Sequence, residues 1–304
     1  MEYIGNVALD YEYYCGKDLY LDGSEDELLE IVSNYGADEY NRIISEKNSW
    51  SILYHLSQIR GNIVEWLPIT KEDSVLEIGA GCGAITGVLA SKAKKVDCIE
   101  LSKKRSLVNA TRNSEYDNIN IIVGNFQDIE KNITEKYDYI TLIGVMEYAA
   151  SYINSKQPYE EFLNIIKKHL APNGKIIIAI ENKYGLKYWA GCREDHVGTF
   201  YSGIEGYIDV AGVKTFSKAE LNAMFEKCGL NDVEYYYPYP DYKFPLTVYS
   251  DDYLPKPGTL DNNLRNFDAD RMMVFDESRV YDSLIKDGLY DIFANSFLIC
   301  VGGN

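Results

Sequence analysis

VLEIGAGCGAITGVLA, Val75 to Ala90, is the stretch on which the fold turns. Val75 to Ile78 reads as a buried strand and Ala84 to Lys92 as a helix, with Gly79, Gly81 and Gly83 at alternate positions between them. Without a Cβ, glycine lets the backbone turn tightly and lets a ligand approach it closely. Taken alone, the turn also fits a plain strand-to-helix connection.

Working outward, short apolar runs at Val96–Glu100, Ile119–Val123, Tyr139–Ile143 and Lys175–Ile180 alternate with helical stretches at Lys103–Asn113 and Tyr159–His169. LAPNG, Leu170 to Gly174, reads as a loop ending the last of these helices. Such alternation predicts a doubly wound α/β fold around a mainly parallel sheet. Upstream, Leu28, Leu29, Ile31 and Val32 and then Ile52, Leu53, Leu56, Ile59, Ile63 and Leu67 recur at helical spacing. A helical N-terminal cap, residues 1–72, is therefore expected before a domain at 73–304. Downstream, an irregular glycine- and aromatic-rich stretch follows Glu181, and Ser217 and Glu220 stand at capping-box spacing before a helix to Cys228. VEYYYPYP and NSFLICV read as later strands, with insertions expected at about 182–214 and 241–294.

Hydrophobic residues make up 46% and charged residues 25% of the 304, which excludes a largely disordered chain. Forty-seven acidic residues against 30 basic give a formal charge of −17. That balance opposes phosphate backbones and anionic membranes at long range, so no nucleic-acid partner is expected. Six scattered cysteines without a CxxC pair suggest neither a zinc site nor a disulfide framework, but free thiols in a reducing compartment. The N-terminus lacks a secretory pattern and no apolar run is long enough to span a bilayer, so a cytoplasmic location is expected.

Two ligands fit the glycine turn. Gly79, Gly81 and Ala84 satisfy the dinucleotide pattern G-x-G-x-x-A. S-adenosylmethionine (SAM) is favoured by Glu77, an acid that would repel a diphosphate and attract a sulfonium cation. Glu100 closes the second strand where a carboxylate can accept both ribose hydroxyls, and Asn125 and Phe126 follow the third, suited to an adenine edge and face. For Asn125 a simple turn role fits equally well. The series resembles class I SAM-dependent methyltransferases from Val75 to Glu181. That resemblance implies a seven-stranded sheet, SAM as cofactor, and a binding set of Glu77, Gly79, Ala80, Gly81, Glu100, Leu101, Asn125, Phe126 and Gly144. Asn125 departs from the aspartate many members carry there.

YHLSQIRGNIVEWLPI, IAIENKYGLKYWAGCREDHVG and YPYPDYKFP, with other segments, resemble a narrower bacterial methyltransferase group found beside surface-polysaccharide glycosyltransferases. This implies a glycan or nucleotide-sugar acceptor and an association with glycosyltransferases; a homo-oligomer is also open.

Methyl transfer needs alignment and, for a hydroxyl, removal of a proton. His196, flanked by Glu194 and Asp195, is the first choice of base, against the alternative of a solvent-satisfied loop histidine. Glu147 and Tyr148, after the fourth strand, are further catalytic candidates, though both also suit helix capping. Arg60 fits core packing or a contact to the cofactor's carboxylate. No compact ligand cluster with defined spacing stands out, so no metal is expected. Tyrosines crowd Tyr235 to Tyr253, suiting sugar or aromatic acceptors, or a strand with tyrosines on both faces. The leading expectation is O-methylation of a sugar. A small aromatic or peptide acceptor, an NAD-dependent oxidoreductase and a noncatalytic SAM-binding module remain open.

Overall fold

Strand β3, Ser74–Ile78, runs directly into the glycine turn, and its neighbours show why the turn lies where it does. In the computed structural model, which describes residues 1–262 and 269–302, the chain divides into two compact units: residues 1–142 with 168–175, and 143–167 with 176–304. The described residues hold ten strands and twelve α-helices.

The first unit contains β1 (Glu2–Ile4), β2 (Val7–Asp10), α1 (Glu25–Asn34), α2 (Tyr40–Lys47), α3 (Trp50–Leu56), β3, α4 (Thr86–Lys92), β4 (Lys95–Glu100), α5 (Lys103–Arg112), β5 (Ile119–Val123), α6 (Phe126–Ile129) and most of β6 (Tyr137–Ile143). Its strands lie in the order β1-β2-β5-β4-β3-β6. β3 pairs parallel with both β4 and β6, while β4 and β5 continue outward on one side. The winding therefore reverses at β3, and the crevice at the carboxyl ends of such strands is where open α/β sheets bind ligands. The glycine turn occupies that position.

The three glycines take φ of +75° (Gly79), +54° (Gly81) and +77° (Gly83), a left-handed region that side chains disfavour. Cys82, between the last two, packs into a cluster with Leu28, Ile31, Val32, Tyr40, Ile43, Ile52 and Leu56 of α1–α3 and Val108 of α5. The N-terminal helices thus bury their apolar faces against the turn itself.

The second unit contains α7 (Ala149–Tyr152), α8 (Pro158–Lys167), the Ile176–Glu181 end of β7 (Leu170–Glu181), α9 (Leu186–Trp189), α10 (Lys218–Lys227), β8 (Asp232–Tyr239), β9 (Thr247–Ser250), α11 (Glu277–Lys286), α12 (Tyr290–Phe293) and β10 (Ser296–Gly302). Its strand order is β7-β10-β8-β9, with β8 antiparallel to both neighbours. The expected capping box at Ser217 and Glu220 forms in both directions and starts α10.

The doubly wound α/β expectation holds, with three corrections. Ten strands stand where seven were expected, and the sheet is mixed. Residues 2–10, read within a helical cap, form the β1–β2 hairpin, and β2 pairs parallel with β5. Strands of three and four residues are too short to carry a periodic signal, and it is pairing, of β1 with β2 and of β2 with β5, that makes them strands. LAPNG is not a loop, because β7 begins at Leu170 and Asn173 absorbs the kink at φ +65°. Within the expected insertion 241–294, β9 joins β8, while residues 263–268, like 303–304 at the end of the expected 73–304 domain, lie outside the described residues.

A Cβ on Gly83 would land on the side-chain amides of Asn109 and Asn113 of the α5 region, in addition to its left-handed φ. Gly83→Ala is therefore expected to destabilise the chain by about 1–2 kcal/mol or more, read from the midpoint of urea unfolding.

Candidate functional site

Glu100 ends β4 and is buried. One of its carboxylate oxygens accepts the Gly81 N–H at 2.7 Å and the other the Ser102 N–H at 2.9 Å. The acid is thus oriented by the glycine turn on one side and the start of α5 on the other. A carboxylate has about four acceptor positions, so roughly two remain for a ligand. A Cβ on Gly81 would meet nothing within 4 Å, so the turn faces open space there. Gly79 and Ala80 donate back to the Ile99 carbonyl at 2.8 and 3.3 Å, which fixes the turn to β4, and Leu101 is half-buried beside Glu100.

Glu77 has a more structural setting than its place in the sequence suggests. Its Oε2 accepts from Thr86 Oγ1 at 2.6 Å, and Thr86 in turn accepts from Asn109 at 3.0 Å, tying β3 to α4 and α5. Burial pushes its carboxyl up to about 7, which weakens the charge argument that favoured SAM over a dinucleotide. Asn125 caps α6 by accepting the Gln127 N–H at 3.0 Å, the turn role left open in the sequence. Phe126 is buried, edge-on to His169.

Arg60 was left between two readings. It is 6% exposed, its guanidinium lies 3.7 Å over the Tyr54 ring, and its Nε and Nη1 have no hydrogen-bond partner. A buried guanidinium short of partners is costly, and a carboxylate satisfies it with paired hydrogen bonds.

In the second unit, residues far apart in sequence converge. Gly144, at φ +70°, donates to the Ala179 carbonyl at 2.9 Å. A Cβ there would come within 2.9 Å of the Tyr242 hydroxyl and 3.6 Å of Glu147 Oε1. Glu147 and Tyr148 follow in a short helical turn, and Glu181 is the last residue of β7. His196 is set by Glu194, whose carboxylate accepts the His196 and Val197 N–H groups at 2.8 and 2.6 Å and the Tyr207 hydroxyl at 2.9 Å. The imidazole bridges Tyr148 Oη, at 2.8 Å from Nδ1, and Glu181 Oε2, at 3.1 Å from Nε2.

A buried ionic network surrounds this pair. Lys243 binds Glu181 Oε1 and Asp195 (3.2 Å), and Lys187 binds Asp195 (2.8 Å) and Asp241 (2.6 Å). Burial alone would raise Glu181, but Lys243 and His196 hold it well below the ordinary carboxylate range. Burial alone would lower His196, but Glu181 lifts it to about 9. Placed between Glu181 and Tyr148, the imidazole is favoured in its protonated form by the neighbouring carboxylates. Glu147, by contrast, is pushed up to about 7 by burial, against the pull of His196. Glu181, Lys187, Asp241 and Lys243 were missed in the sequence because no short-range spacing links them to His196.

The tyrosine-rich segment serves mainly the core. Tyr235, Tyr237 and Tyr239 share the buried face of β8, and their hydroxyls bond Asn222, Asp251 and the Asn262 carbonyl. Period-two burial in a strand, the alternative reading, explains them.

Comparison with known proteins decides the family. Residues 53–235 match the family model described as a methyltransferase domain. The chain belongs to this family. It is 29% identical over 187 residues to ribosomal RNA small subunit methyltransferase A of Clostridium acetobutylicum, covering 58% of this chain and 64% of that one. To the same-named protein of Leuconostoc mesenteroides it is 37% identical over 102 residues, covering 33% and 34%. The chain thus matches less than two thirds of either relative's length. A SAM-dependent methyltransferase from Archaeoglobus fulgidus superposes with a TM-score of 0.51 at 15% identity, covering 84% of this chain and all of that one, which shows a shared fold. The expected class I methyltransferase fold and its SAM cofactor stand. No helix among the described residues is long and apolar enough to cross a membrane.

The relatives correct one expectation. The acidic balance speaks against a nucleic-acid partner, yet proteins similar to this chain are named for ribosomal RNA. Net charge governs long-range attraction, whereas binding depends on the local surface, so −17 overall does not exclude an RNA acceptor.

If Glu100 takes the ribose and Arg60 the carboxylate of SAM, Glu100→Ala and Arg60→Ala are each expected to weaken its binding roughly tenfold to a hundredfold through loss of charge-assisted hydrogen bonds. His196→Ala is expected to leave it unchanged. Isothermal titration of SAM into the three variants checks this.

Proposed function

We propose that the chain transfers the methyl group of SAM to the oxygen of a hydroxyl, of the kind a sugar carries. The observation that carries the cofactor half is the Glu100 clamp on the Gly81 turn at the point where the sheet's winding reverses. Glu100 would take the ribose hydroxyls, Gly79, Ala80 and Gly81 would border the methionine moiety, and Arg60 would pair with its carboxylate. Leu101, Asn125 and Phe126 would border the adenosine and Gly144 the cofactor, with Glu77 supporting the turn from β3. The reaction is an in-line displacement: the S–C bond of the sulfonium breaks as the O–C bond forms, leaving S-adenosylhomocysteine. The hydroxyl proton must leave too, and the group formed by buried Glu147 and Glu181 with half-buried Tyr148 and His196 supports this half. Glu147 has neither carboxylate oxygen hydrogen-bonded and so has capacity to accept that proton.

An exocyclic amino group of an RNA base is the second reading, favoured by relatives named as ribosomal RNA methyltransferases. It makes the same demand, since an amine also loses a proton on methylation. The reported relatives do not carry the association with surface-polysaccharide glycosyltransferases.

Incubating the protein with methyl-labelled SAM and, separately, nucleotide sugars, bacterial glycan and ribosomal RNA distinguishes these readings by mass spectrometry. Label is expected as a sugar methyl ether. Label in a methylated RNA base would replace the first reading by the second, and SAM binding without S-adenosylhomocysteine from any acceptor would overturn both.

A further inference from the structure

Glu147, Glu181 and His196 come from the turn after β6, the end of β7 and the loop beyond it. Each offers one ligand atom, and the three atoms lie within 4.8 Å of one another. Glu181 is fully buried, and the His196 side chain is 7% exposed. Glu147 is 1% exposed, and both its oxygens lack a hydrogen-bond partner. A carboxylate withdrawn from water with no donor is unfavourable unless a cation or proton satisfies it.

We propose that Glu147, Glu181 and His196 bind a divalent cation of the first transition row. The 3.1 Å between Glu181 Oε2 and His196 Nε2 is the separation of two adjacent ligands each about 2.1 Å from one ion. Tyr148 Oη contacts Nδ1 of His196 at 2.8 Å, leaving Nε2 as the ligating nitrogen, and an outer hydrogen bond of this kind holds a metal-bound imidazole in place. Lys243 occupies the other oxygen of Glu181, orienting that carboxylate in the same way.

Charge points the same way. Glu147, Glu181, Asp195 and Asp241 are four carboxylates set against the two ammonium groups of Lys187 and Lys243, leaving two negative charges when all are ionised. A dication offsets this negative charge. Glu194, whose oxygens accept from Tyr207 and from the His196 and Val197 N–H groups, adds further negative charge beside His196. An imidazole in the set favours manganese, iron, cobalt or zinc over magnesium or calcium. Three protein ligands leave coordination positions for water or for oxygens of an acceptor. The site reverses the metal-free expectation, which rested on spacing along the chain.

The test uses the chelator-treated 304-residue chain without SAM or acceptor, so its outcome is separate from that of the methyl-transfer reading. Mn2+ titrated calorimetrically is expected to bind once per chain, and Co2+ to give a visible ligand-field spectrum. Glu147→Gln, close in shape to the native residue, and His196→Ala are each expected to weaken Mn2+ binding at least about tenfold, while Glu100→Ala leaves it unchanged. Circular dichroism confirms that each variant is folded. Absence of stoichiometric Mn2+ and Co2+ binding to the folded wild type overturns the proposal. So does undiminished binding by the folded Glu147→Gln,His196→Ala double variant, which would place the ion elsewhere.

Discussion

The hydrogen bond from the Gly81 N–H to Glu100 joins the end of one strand to the turn after another, and much of the first unit is arranged around it. It requires a backbone that turns through left-handed conformations, which glycine supplies at alternate positions. It also requires a rigid surround, supplied by the Ile99 carbonyl beneath the turn and the cap helices packed on Cys82. These contacts hold the turn in one conformation, which limits the ordering that opposes binding.

The second unit is organised by a different constraint, the cost of burying charge. Its ion pairs hold Lys187 and Lys243 between carboxylates from the end of β7, the following loop and the segment after β8. Each lysine serves more than one carboxylate, so removing either would leave buried acids short of positive charge, and the network ties these segments together. That rigidity gives His196 its orientation and leaves Glu147 as the acid without a partner. A structural ion network and a reactive group thereby share one set of residues.

Local signals in the sequence were reliable where the chain interacts with its own neighbours. The glycine turn, strands β3 to β6, the helices that alternate with them, and the Ser217 capping box all follow from rules acting over a few residues. Glu100 was legible for the same reason, because it ends a strand of recognisable period. The hairpin at residues 2–10 was not, since segments so short become strands only through pairing, of β1 with β2 and of β2 with β5. The tyrosines of β8 were ambiguous because packing, rather than composition, decides whether a ring faces core or ligand.

By itself, then, the sequence determined the α/β class, the place of the glycine turn and the identity of the acid beside it, because backbone freedom and strand periodicity are local properties. Only the tertiary structure decided what His196 touches. Its protonation depends on Glu181 and Glu147, which are remote in the chain and adjacent in space, and no spacing rule anticipates such a meeting. Electrostatics in a buried site acts through distance in space, so the chemistry of the second unit became readable only once the chain was folded.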